Sequence, residues 1–211
     1  MSRSLLAIGG VAASAFVLTS ISLAEDAPAS LAAPQASLFG IALGAPLTLP
    51  ACPMLRNWLS SIQSVDKQRM TTMCTVPLLP PVVGEEGVIF SPDNSPTWIK
   101  TISVALIVGV DADGVQTILM QTQGIARQEE IEALLEDKFG EPKSLEIVQK
   151  SNRLGATFGV IESEWLVGTS TVTFSGADDD FDTGSIFAIS AKKIDQITVE
   201  MAQKKAAGAH L

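Results

Sequence analysis

An amphipathic helix with a hard stop, set between runs of β-forming residues, does most to limit what this chain can become. Ile131, Leu134, Leu135 and Phe139 recur at helical spacing, with Glu129 and Glu130 near the start and Lys138 near the end. Those charges complement the helix dipole. Gly140 and Pro142 then stop the segment. The predicted helix covers about 127–139. Ahead of it, β-rich residues 99–108 and 115–122 flank the turn residues Asp111-Ala112-Asp113-Gly114, which predicts a hairpin. Behind it, strands are expected over 145–149, 156–167, 170–175 and 185–190, and a last helix over about 192–206. Hairpin, helix and antiparallel meander in that order predict an α+β fold with helices packed on an antiparallel sheet.

The earlier part of the chain is less regular. Order is expected to begin at residue 38. Pro53 followed by Met54, Leu55, Trp58, Leu59 and Ile62 predicts a helix over about 53–65, with Cys52 at its start. Cys74 falls on a short strand after it. Residues 76–97 hold Pro77, Pro80, Pro81, Gly84, Gly87, Pro92 and Pro96 and read as loop, with Val88-Ile89-Phe90 as a short edge strand. The expected domain is 38–211. A division into two degenerate halves, 38–97 and 98–211, stays open, since no convincing repeat is visible.

The N-terminus carries an address. Arg3 is the only charge before Glu25, an apolar run extends from Leu5 to Leu18, and Ser22-Leu23-Ala24 places small residues at a cleavage exit. This is the pattern of a signal peptide over 1–24. The competing reading, a membrane-spanning helix, is weakened by Gly9-Gly10 and by Ser and Thr residues within the run. An Ala/Pro-rich flexible linker is expected over 25–37. The expected mature protein is periplasmic or secreted, without a membrane anchor. Loss of Arg3 leaves 13 basic against 23 acidic residues, a net charge of −10. That balance speaks against a nucleic-acid partner, whose phosphates need a basic footprint. Two cysteines in an oxidising compartment predict a Cys52–Cys74 disulfide.

Chemistry-bearing motifs are sparse. Asp178, Asp179, Asp180 and Asp182 form the densest charge cluster. Carboxylates in a loop could hold Ca²⁺, but EF-hand spacing is missing, and a solvated hairpin loop between Gly176 and Gly184 explains the cluster more simply. The chain has one His, His210, and no Tyr. A Ser/His/Asp or Cys/His arrangement is therefore not expected, and no phosphate-loop pattern occurs. Glu162 and Glu164 share one strand face and are the carboxylates a hydrolase would use. No cofactor and no metal are expected. Trp98, after the Pro-rich stretch, is the aromatic placed toward the surface as a partner anchor.

The segment from Gly114 through the helix to Lys138-Phe139-Gly140-Glu141-Pro142, followed by the strand bearing Trp165 and by Thr171-Val172-Thr173-Phe174, resembles modules of small exported bacterial proteins. It is similar to the helix-plus-antiparallel-sheet modules of β-lactamase-inhibitor-like proteins and of the small lipoproteins of the outer-membrane assembly machinery. Phe39-Gly40-Ile41-Ala42-Leu43-Gly44-Ala45-Pro46 adds a segment of the same kind. The lipidated cysteine of the assembly lipoproteins is missing here. The resemblance implies a binding or inhibitory module without catalysis, and no functional residue is carried over from it. The expected function is an exported, non-enzymatic protein-binding module, an inhibitor or immunity-type protein with a basic secreted enzyme or toxin as partner. A structural or assembly accessory of the cell envelope or a secretion system is the alternative. A hydrolase using carboxylates is third.

Overall fold

Alternation of buried and exposed residues along the strands builds one large sheet beside two two-stranded ones, seen in a computed structural model that describes residues 35–55, 64–78, 80–100, 104–151 and 154–208. The signal peptide, most of the linker, Trp58 and the middle of the helix expected over 53–65 lie outside the described residues. In chain order the strands are β1 (Ser37–Leu38), β2 (Ile41–Ala42), β3 (Met54–Leu55), β4 (Ser64–Val65), β5 (Cys74–Pro77), β6 (Glu85–Ile89), β7 (Leu106–Asp111) and β8 (Gly114–Thr122). Helix α1 (Gln128–Phe139) follows, then β9 (Ser144–Ser151), β10 (Thr157–Val167), β11 (Ser170–Ser175), β12 (Gly184–Ile189) and α2 (Ala191–Gly208).

Eight strands form an antiparallel sheet in the order β5-β6-β7-β8-β12-β11-β10-β9. Two four-stranded meanders therefore meet at their last strands, where Ile186 of β12 lies opposite Met120 of β8. The α+β class follows directly, and the sheet runs through both the earlier and the later part of the chain.

The main core occupies one face of this sheet. Register places Trp165, Val172, Ala188, Ile118 and Val108 side by side across five strands, all essentially buried. Burial of side chains this size stabilises by about 1.5–3 kcal/mol each. Two lids close that face. One is α1, which lies on β10 and sends Ile131 and Leu135 into the core. Its end is fixed by the Trp165 indole N–H, which donates to the Gly140 carbonyl at 2.9 Å. The other is the β1–β2 hairpin, whose Leu38 and Ile41 join the same cluster. Its turn has positive φ at both Phe39 (53°) and Gly40 (79°), the geometry that matches strand twist in two-residue hairpins. The Phe39 ring offsets the strain of that backbone by packing edge-on to Phe90 at 4.8 Å.

Several expectations are corrected. Met54–Leu55 and Ser64–Val65 pair as antiparallel strands, so the ends of the segment read as a helix over 53–65 are extended. Order begins earlier than residue 38: Ala36 is buried and Ser37 already pairs with Ala42. The strand around Val88 is interior, bonded to β5 on one side and β7 on the other. Only residues 106–108 of the strand expected over 99–108 lie in β7, which continues to Asp111; Ile99 makes an isolated bridge to Thr122. Finally, α1 packs on the sheet but α2 buries none of its residues.

A candidate acidic binding surface

Residues 178–182 connect β11 to β12 and form a tied loop. The Asp178 backbone N–H donates to Thr183 O at 2.7 Å, and the Thr183 N–H donates to Asp180 O at 3.2 Å. The Asp178 carboxylate accepts from Ser185 Oγ at 2.8 Å. Lys100 Nζ donates to Thr183 Oγ1 and lies 3.9 Å from an Asp180 oxygen. Asp178 is half-buried and committed to the loop, while Asp179, Asp180 and Asp182 are exposed.

The turn before α1 backs this loop. The Ile125 N–H donates to Phe181 O at 3.1 Å. Gly124 sits at φ 57° against the same backbone, and a Cβ there would come within 2.2 Å of Phe181 O. Position 124 thus needs glycine both for its left-handed backbone and for the close approach. The contact sets the loop beside the first turn of α1, which carries Glu129 and Glu130. Arg127 at that turn pairs with Glu130 at 2.6 Å. The Phe181 ring meets Phe158 of β10 at 5.0 Å. A concavity of about 560 Å³ opens between the loop and the β9–β10 hairpin, lined by Lys150, Ser175, Asp178, Asp179 and Phe181 among others.

Trp98 adjoins the turn before α1 through its backbone carbonyl. It is half-buried against the main core, its ring 6.0 Å from that of Phe39 and its carbonyl accepting from the Gln123 N–H. Glu162 and Glu164 point to the sheet face opposite α1, each with a lysine: Lys150 at 2.9 Å from Glu162 and Lys143 at 2.6 Å from Glu164. Cys52 and Cys74 form the expected disulfide. Among the described residues no three His, Cys, Asp or Glu side chains come together in a way that could hold a metal ion. No described helix is long and apolar enough to cross a membrane.

At the turn between β7 and β8, hydrogen bonding from Lys192 holds the Asp111 carboxyl below its ordinary range, with help from the Asp113 N–H. The same contacts, Asp113 first, raise Lys192. This knot fixes the start of α2, where Ser190 Oγ donates to Gln116 Oε1 and accepts from the Lys193 N–H at 3.1 Å. On α1, burial pushes the Glu132 carboxyl up, and Glu136 adds to the shift.

Sequence reasoning located the Asp cluster but missed what holds it. Gly124 and Lys100 lie 57 and 81 residues from Phe181, and no local pattern joins them. No protein-family model, curated protein or solved structure matches this chain.

Proposed function

We propose that the protein is an exported, non-enzymatic protein-binding module of the inhibitor or immunity type, and that its acidic end docks a basic partner. The reading is carried by one observation: three exposed carboxylates, Asp179, Asp180 and Asp182, sit on a loop tied at both ends and backed by Gly124. A loop ordered before binding loses little conformational freedom on docking. Its field, on a mature chain of net charge −10, speeds encounter with a cationic surface. Glu162 and Glu164, the carboxylates a hydrolase would use, are each held by a lysine, which favours binding over acid–base work.

The test is association kinetics with a panel of basic secreted enzymes, lysozyme-like and nuclease-like. Asp179→Asn, Asp180→Asn and Asp182→Asn together should slow association about tenfold at low salt. The difference should shrink near physiological salt, where the screening length is about 8 Å. Binding that ignores both the triple substitution and salt would refute the acidic-docking reading.

The alternative, an assembly accessory of the cell envelope or a secretion system, is favoured by α2. This helix of 18 residues buries none of them, and Ile194, Ile197 and Met201 recur at helical spacing while all are exposed. Helices in proteins draw most of their stability from packing an apolar face, and here that face is only partly covered, Met201 being 58% exposed.

A further inference from the structure

We propose that β9 is a self-pairing edge through which two copies of this chain join their sheets. The inference does not rest on the acidic-docking reading, although Lys150 of β9 also lines the concavity beside the acidic loop.

Beyond β9, no described segment continues the sheet. Its eight residues pair with β10 in unbroken register from Ser144 to Ser151. An open edge of this length presents a row of backbone groups ready to pair with another strand, and proteins guard such edges with Pro, bulges or charged side chains. This edge is only partly guarded. It lacks Pro and bulge, and its one lysine, Lys150, is turned inward onto Glu162 and the Ala177 carbonyl, at 2.9 Å each. The apolar side chains are uncovered instead: Leu145 is 50% and Ile147 64% exposed, on the face that carries α1.

Charge selects the occupant and the register. Glu146 lies opposite Glu162 and makes no ion pair among the described residues. If two β9 strands pair antiparallel about Val148, Glu146 of each copy falls opposite Lys150 of the other, so one register sets two opposite-charge pairs, each lysine being shared with its own Glu162. Pairing about Ile147 would instead set Glu146 opposite Val148, and pairing about Gln149 would set Lys150 there. The Val148 register also keeps both α1 helices on one face, and it brings the two Ile147 side chains within diagonal reach, about 7–8 Å. Self-pairing of this kind is isologous and closes at two copies. The far edge of each sheet is occupied by the chain's own Ala51, so the array does not extend.

Sedimentation equilibrium of the purified protein from about 1 to 300 µM tests this. An edge this short should give a dimer with a Kd of roughly 1–100 µM. Glu146→Lys puts lysine opposite lysine twice and should weaken the dimer about tenfold. Adding Lys150→Glu to it should restore part of the affinity, since the cross-copy pair is then reversed while the lysine's own contacts to Glu162 and Ala177 are lost. Ile147→Lys should give monomer while far-ultraviolet circular dichroism stays unchanged. A chain that is monomeric at 300 µM overturns the proposal. So does a dimer indifferent to Glu146→Lys, or one weakened by it that Lys150→Glu does not recover.

Discussion

The two ends of the sheet are built on opposite plans. At the β5 end, the preceding chain lies along the edge: the Thr75 N–H donates to Pro50 O at 2.8 Å, and the Cys52 N–H to Thr75 O at 2.9 Å. The Cys52–Cys74 disulfide fixes that strap, and Pro77 ends the strand without a donor. A second small core of Cys52, Met70, Cys74, Val76 and Ile89 forms beneath. At the β9 end none of this is present among the described residues, and Leu145 and Ile147 stand in solvent. A chain that blocks one edge with a covalent strap and leaves the other bare separates two tasks. One end limits growth of the sheet, and the other offers a surface.

The largest blow to that contrast is removal of the strap. Cys52→Ser with Cys74→Ser opens a loop of separation 22 and should lower stability by about 3 kcal/mol in the chain-entropy account. Urea unfolding would show it, and a loss below about 1 kcal/mol would mean the strap holds without its bond. Next is one substitution placed at both ends. Val76→Lys buries a charge in the small core and should cost about 2 kcal/mol, whereas Ile147→Lys should stay within about 0.5 kcal/mol in the monomer. Equal costs by thermal melting would erase the difference between the edges. The smallest effect comes from a control away from both. Asp111 titrates lower in the folded chain, so its contact with Lys192 contributes fully above the ordinary carboxylate range. That contribution is lost as pH falls through the lowered value. Lys192 titrates higher, so its share is complete below pH 10.5 and is lost above it. Backbone resonances at the start of α2 should therefore be steady from about pH 5 to 10 and shift outside it, without any change at either edge. Asp111→Asn should abolish the acid limb.

Residues 128–189 were legible nearly to the residue. Gly140 and Pro142 mark a helix end by their own backbone limits, and alternation such as Ser170–Ser175 states a half-buried strand outright. Met54, Leu55 and Val65 misled because a few apolar residues fit a helical stripe as easily as two short strands. Their pairing across the Cys52 strap decides between the two. Val88 was read as a strand but not as an interior one, since a strand's neighbours are not written in its own residues. The bareness of β9 was hidden for the same reason. Leu145 and Ile147 have the pattern of any strand, and their exposure follows from α1 lying on β10. At the acidic surface the carboxylates could be read, but the backing by Gly124 could not, because it depends on a contact across 57 residues.

The seam between β8 and β12 has a consequence for how the chain reaches this state. The strand at the middle of the sheet is the last one made. Until residues 184–189 arrive, the first meander ends on an unpaired β8 and the second on an unpaired β11, and nothing in the sheet joins them. Ile186 and Ala188 must then close against Met120 and Ile118 from more than 60 residues away, a long loop to close before any contact repays it. Folding should therefore finish in the centre and late. A chain cut short before residue 184 would be two half-sheets with raw inner edges, which are a far greater aggregation hazard than the outer one the finished molecule keeps.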